Sequence, residues 1–279
     1  MPLLLGAIII ALLSYISIRK RYMSPGGVVV AVILGFIVLL SDFSLLLIIV
    51  TFFISSSLLT RFKYKYKVKE GVAENCLGRS YKQVFGAGIT ASLFSLLKLL
   101  CNVAVIRHNP LQALFTLGFL GAISTSTSDT WAVEIGVLSK KRPKLITYPW
   151  KEVSKGVSGG VTILGEVASF LGSLFIGVVV IILTAFSLLD IPRIDYQQAL
   201  LITVTSGFIG EKVDSLLGAL LQAKYYCPKC NELSDNVIHT CGRRAIHKSG
   251  VKWFTNELVN VISTLVGSLI AILIYILMA

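Results

Sequence analysis

From its first residue the chain alternates long apolar stretches with short polar gaps. The stretches lie near residues 2–18, 26–40, 43–59, 84–106, 111–127, 160–188, 199–222 and 253–278. At about 1.5 Å rise per residue, roughly 17–25 residues cross a bilayer as a helix. Most stretches meet that length, and the short one at 26–40 fits a tilted helix, thinned lipid or a re-entrant path. The pattern predicts eight spans, with seven as the alternative. No stretch alternates with period two over blocks of about ten residues, which excludes a transmembrane barrel. Hydrocarbon offers no water to backbone groups, so the spans must be helices. The expectation is an all-α, polytopic transmembrane bundle, one integral membrane domain over residues 1–279.

Composition agrees. Apolar residues make up 55% of the chain and charged residues 14%, against about 25% charged in a soluble domain. The mean hydropathy is +0.81. A formal charge of +12 invites a nucleic-acid reading. It fails, because the basic residues sit in the gaps between apolar stretches. The first stretch is not a cleaved signal either, since Arg19, Lys20 and Arg21 follow its core instead of preceding it.

Charge also orients the chain. The gaps at 19–25, 60–83, 128–158 and 223–252 hold 22 of the 26 Lys and Arg residues. With eight spans these gaps share one face, which the positive-inside rule makes cytoplasmic, leaving both termini outside. Acids at the opposite face include Asp42, Asp190 and Asp195.

Polar residues inside such helices are costly, so their positions carry information. They gather at the cytoplasmic ends of the spans. Where the stretch from Glu74 to Gln83 runs into the fourth span, the residues Asn75, Arg79, Lys82 with Gln83, and Gly86 recur at helical spacing. A solvated turn would look much the same. Next, Ser124 to Ser128 close the fifth span with five consecutive hydroxyl residues, followed by Asp129 and Glu134. In an unbroken helix those carboxylates point about 140° apart, so they share a ligand only if the helix breaks, or else Glu134 orients something else. Lys155, Ser158, Gly159, Gly160 and Thr162 precede the sixth span. Paired glycines and a helix start let backbone N–H groups converge on phosphate, or they only permit close helix packing. No Walker loop occurs.

The seventh span carries Gly207, Glu211, Asp214, Ser215, Gly218 and Gln222 on one stripe, and the eighth carries Asn256, Asn260, Ser263 and Gly267. Small and polar stripes glue helices together, but an acid pair on one stripe exceeds what glue requires. In the loop at 223–252, Cys227 and Cys230 form a C-x-x-C turn and Cys241 resembles the second knuckle of a zinc ribbon. His239 or His247 would complete a structural Cys3His site for Zn²⁺. Cys76 and Cys101 stand alone.

The cytoplasmic face thus offers carboxylates for Mg²⁺, and lysines with a glycine turn for phosphates. These are the parts phosphoryl transfer needs. Asp129 and Asp214 are the expected Mg²⁺ ligands and, with Glu134, the catalytic acids. Arg79, Lys82, Gln83, Ser128, Lys155, Ser158, Gly159, Gly160, Thr162, Gln222, Asn256 and Asn260 are the candidate phosphate- and nucleotide-binding residues.

Three motifs, at 128–136, 155–165 and 214–222, resemble the polytopic family that contains plant phytyl-phosphate kinase. The segments 78–84 and 256–260 fit its pattern, with Asn256-Glu257 standing where the family usually has Asn-Asp. The likeness covers roughly residues 25–270. It implies conversion of an isoprenoid monophosphate to its diphosphate, with CTP or another nucleoside triphosphate as donor. The layout is distantly similar to dolichol kinase and the CDP-diacylglycerol synthases, which keeps a CTP-dependent lipid cytidylyltransferase as the enzymatic alternative. A lipid or small-molecule transporter is the alternative of another class, but transport sites favour the midplane and repeated halves. The partners implied are the isoprenoid phosphate, the nucleotide and membrane lipids, with no nucleic acid.

Overall fold

The computed structural model describes residues 1–73, 78–103, 110–192, 194–235, 237–239 and 241–278. Asn75 and Cys76, singled out from the sequence, lie outside the described residues. Each of the eight apolar stretches forms a helix: α1 (Pro2–Lys20), α2 (Pro25–Ser41), α3 (Phe43–Arg61), α5 (Tyr81–Val103), α6 (Pro110–Gly136), α7 (Ile163–Ala185), α8 (Tyr196–Leu220) and α9 (Asn256–Met278). A short helix, α4 (Tyr64–Lys69), lies between α3 and α5. Among the described residues five helices, α1, α3, α5, α7 and α9, are long and apolar enough to cross a membrane. The shorter α2 is apolar over 17 residues. The protein is a helical membrane protein.

Local chemistry sets the helix ends. Ser24 caps α2 through Gly27 N at 3.1 Å, with Pro25 in the first turn. Asp42 caps α3 through Ser44 N at 2.9 Å, and Thr162 caps α7 through Gly165 N at 3.0 Å. Asp195 and Gln198 form a reciprocal capping box at the start of α8. Ser80 and Gln83 do the same for α5, with Ser80 N donating to Gln83 Oε1 at 2.8 Å.

That last cap corrects one expectation. Arg79 does not sit on a helical stripe, because α5 begins only at Tyr81. Gly78 takes a φ of 81°, and Arg79 is held in extended backbone beside Met23, its N–H donating to Tyr22 O at 3.0 Å. A second correction concerns α6. The hydroxyl run does not end the helix, which continues to Gly136.

α6 is the central helix and packs on α3, α5, α7, α8 and α9. Leu117, Phe119, Leu120, Ile123 and the residues from Ser124 to Ser128 are all buried. Shielding from lipid by other helices is what makes so many hydroxyls tolerable there. Ser124 Oγ donates to Thr203 O of α8 at 2.8 Å, Ser126 Oγ to Ala87 O of α5 at 2.8 Å. From α9, Ser268 Oγ donates to Gly118 O at 2.7 Å. The stripe glycines serve the same close packing: a Cβ on Gly121 would fall 2.5 Å from Gly267 O. At the end of the bundle away from the basic loops, Lys98 of α5 binds Asp42 at 2.6 Å.

Two small antiparallel sheets lie in the loops. The segment between α6 and α7 forms β1 (Lys144–Leu145), β2 (Tyr148–Glu152) and β3 (Gly160–Val161) in the order β2-β1-β3. Nothing in the hydropathy pattern signalled this sheet. The loop between α8 and α9 forms β4 (Lys224–Cys227), β5 (Glu232–Ser234) and β6 (Ile246–Ser249) in the order β5-β4-β6, the ribbon-like module expected from its cysteines.

Candidate functional site

At the basic end of the bundle, between α5, α6, α7, α8 and α9 and under the loop at 137–162, lies a cavity of about 280 Å³. Its wall contains Arg79, Gln83, Asp129, Glu134, Ser158, Gly159, Gly160, Thr162, Asp214, Asn256 and Asn260, all singled out from the sequence. It also contains Glu166, Glu211, Ser215 and Asp235, of which Glu166 and Asp235 gave no sequence signal. Six carboxylates converging in a helical membrane protein demand partners. Three of them are ion-paired, to two lysines.

Glu134 is the first. Its Oε2 meets Lys67 Nζ of α4 at 2.5 Å, and its Oε1 accepts from Thr60 Oγ1 at 2.5 Å. Lys67 also donates to Leu59 O at 2.7 Å and is 1% exposed. Glu134 therefore ties α4 to the end of α6. Glu166 and Glu211 are the other two, and both are bound by Lys212, with Glu211 at 2.5 Å. Ser169 Oγ and Ser215 Oγ donate to Glu211 at 3.0 and 2.9 Å. Lys212 turns away from Asp214, as its place about 200° round the helix predicts.

Among the described residues Asp129, Asp214 and Asp235 have no lysine or arginine within ion-pair distance, and of these Asp129 and Asp214 lie on the helices themselves. Asp214 accepts from Ser263 Oγ at 2.8 Å, and from Asn260 at 3.2 Å once its amide nitrogen is turned toward the carboxylate. Among the described residues nothing donates a hydrogen bond to Asp129. Arg79 is the matching leftover cation: among the described residues no carboxylate lies within ion-pair distance, and its Nη2 reaches only Thr60 Oγ1 at 3.4 Å. An oxygen-only donor set without a counter-ion, facing a spare guanidinium, fits a hard divalent cation and a phosphate.

Asp235 joins the ribbon to this cavity. Its Oδ2 accepts from Ser158 N at 2.9 Å, from the Ser158 hydroxyl and from Gln222 Nε2 at 3.2 Å, while its buried Oδ1 has no hydrogen-bond partner among the described residues. Burial pushes the Asp235 carboxyl above its ordinary value, with Ser158 and Lys224 pulling back. The Ser158 N–H is thus occupied by a carboxylate in this conformation. Gly159, with φ of 77°, packs against α8 so closely that a Cβ would lie 2.6 Å from Ala219 N. Close approach is a demonstrated reason for that glycine.

Four predicted residues are not on the cavity wall. Lys82 is exposed, and Lys155 is engaged by Tyr66 Oη at 2.7 Å and Glu70 at 3.1 Å. Ser128 is buried, its Cα beside the Gly172 position of α7. Gln222 is buried and holds Asp235. Glu257 is also absent from the wall, its backbone packing against Gly86.

In the ribbon, Cys227, Cys230, His239 and Cys241 bring one ligand atom each within 4.8 Å of one another, so the cluster can hold a metal. Cys227 Sγ and Cys241 Sγ are 3.6 Å apart. The Arg243 backbone N–H and the His239 side chain hold the Cys241 thiol down at about 6. His247 instead faces the Tyr225 ring edge-on.

A helical bundle enclosing an acid-lined cavity beneath basic loops is an integral membrane protein, and sequence comparison gives its family. Residues 8–268 match the family described as integral membrane protein DUF92, and the chain belongs to it. An uncharacterized membrane protein of Methanocaldococcus jannaschii is 31% identical over 98% of this chain and 94% of its own. Two Arabidopsis thaliana proteins are similar: PGR, 33% identical over 54% of this chain and 51% of its own, and the chloroplastic VTE6, 28% identical over 77% and 53%. The chain spans about half the length of these two plant relatives. No solved structure matches. The family suspected from the three motifs is therefore the one to which the chain belongs.

Proposed function

We propose that the protein is a membrane-embedded kinase that transfers a phosphoryl group from a nucleoside triphosphate, CTP by preference, to an isoprenyl monophosphate such as phytyl or geranylgeranyl phosphate. The observation that carries this reading is the charge left over in the cavity among the described residues: the helix acids Asp129 and Asp214 with no cation within ion-pair distance, and Arg79 with no carboxylate within that distance. The motif resemblance to the family of plant phytyl-phosphate kinase supports the same substrate class. In the reaction, an oxygen of the lipid monophosphate attacks the γ-phosphorus of the nucleotide, the bond to the β-phosphate oxygen breaks, and the nucleoside diphosphate leaves.

Asp129 and Asp214 would hold Mg²⁺, which when bound neutralises the donor phosphates and their developing charge. Ser263 and Asn260 fix the orientation of Asp214. Arg79 takes the phosphate of the lipid, and the backbone N–H groups at 158–160 take the donor, Ser158 exchanging Asp235 for a phosphate oxygen. Glu134 acts through Lys67 as a positioning residue. The basic loops and this site are cytoplasmic and both termini lie outside, on the asymmetry of Lys and Arg. The ribbon cluster holds structural Zn²⁺, for which three thiolates and an imidazole are a closed donor set.

The test is product analysis with purified protein in lipid, geranylgeranyl phosphate, Mg²⁺ and CTP labelled in its γ-phosphate. Label in the lipid diphosphate is the expected result. Label appearing instead in pyrophosphate, with a cytidylylated lipid, would replace the kinase with a cytidylyltransferase.

A further inference from the structure

A second, apolar cavity lies between α1, α2, α3 and α5, and shares the wall formed by Arg79, Gln83 and Ala87 with the acid-lined cavity. Its composition is graded. The end at the basic loops is marked by Ser17, Met23 and Arg79, and the far end by the buried Ile10, Gly35 and Leu46. Between Val28 and Gly35 it follows α2 for two helical turns, about 10 Å. A groove whose mouth holds a guanidinium with no carboxylate in ion-pair distance among the described residues, and whose end is only hydrocarbon, matches an anionic head on an apolar chain.

We propose that this groove holds the isoprenoid chain of the lipid phosphate, with the phosphate on Arg79 and the chain running between α1 and α2 toward Gly35. The proposal deepens the kinase reading and rests on it for the identity of the lipid. Arg79 then bridges the two cavities, so that the phosphate it binds faces Asp129 across the shared wall. Gly35 and Ala31 become the residues that limit chain length. A Cβ on Gly35 would meet only the Ile10 side chain, at 3.5 Å, an ordinary contact, so an added side chain enters the groove beside Ile10.

The experiment uses the full chain in lipid nanodiscs and a farnesyl monophosphate carrying a photoreactive diazirine at its hydrocarbon tip. Labelling is expected on α1, α2 or α3 near Ile10, Gly35 and Leu46, and unlabelled geranylgeranyl phosphate should suppress it. In Gly35→Leu and Ala31→Phe, the preference for geranylgeranyl over geranyl phosphate as competitor should fall by about tenfold or more, the scale a few methylenes command in an apolar pocket. Labelling confined to the lipid-facing outer surface, or unchanged competition in both folded variants, would overturn the proposal. Competition reads binding and needs no turnover. Groove labelling in a protein that transfers no phosphate would therefore uphold the groove and reject the kinase.

Discussion

Lys67 and Glu134 meet at 2.5 Å beneath the cavity, joining a six-residue helix in a basic loop to the last turn of the central helix. The lysine is almost fully buried, so removing either partner strands the other's charge. Lys67→Met should destabilise the protein by about 3–5 kcal/mol, the usual cost of orphaning a buried ion. Lys67→Met combined with Glu134→Gln should recover part of that loss. Thermal unfolding of the three variants in detergent checks the pair, and additive losses would contradict it.

This pair also marks where sequence reading stops. Lys67 lies in a run of alternating lysines and tyrosines at 63–67, which looks like a solvated loop, and nothing local distinguishes it from Lys65. Its burial is set by Glu134, far away along the chain. Asp129 and Asp214 were legible because a carboxylate beside an apolar helix is expensive wherever that helix packs. The helices themselves were legible because lipid forces the backbone to satisfy itself. Arg79 was placed on the wrong element because Gly78 breaks the period just before it. Strands as short as β1 and β3 leave no pattern to read.

Asp235 ties the ribbon to the turn at 158–160 through two donors on Ser158. Asp235→Ala and Ser158→Ala should each destabilise the protein, and the double variant should lose less than their sum by about 1–3 kcal/mol, the range for hydrogen bonds to a charged group. Thermal or denaturant melts of the cycle provide the measurement. Strict additivity would mean the contact contributes nothing.

Gly159 holds a positive φ with α8 directly against it. Gly159→Ala should cost about 2 kcal/mol or more, combining left-handed strain with a backbone clash. Gly242 has a similar φ of 79° and, among the described residues, nothing within 4 Å of an added Cβ, so Gly242→Ala should cost only about 1 kcal/mol. Equal melting temperatures for the two variants would count against the close approach.

The purified protein should contain near-stoichiometric zinc. Cys230→Ser should lose it and loosen the ribbon, read by metal analysis and by proteolysis within 223–252. Full metal content in that variant would remove Cys230 from the site.

The central claim is that Asp129 and Asp214 are the two carboxylates reserved for a metal-bound donor. Asp129→Asn and Asp214→Asn keep shape and remove charge, and neither breaks an ion pair, so both should fold and insert as the wild type does. Each should lose phosphoryl transfer from CTP to geranylgeranyl phosphate by about 10³-fold or more, as other deletions of transition-state electrostatics do. Transfer by either variant, correctly folded, at close to the wild-type rate would contradict the account for that aspartate.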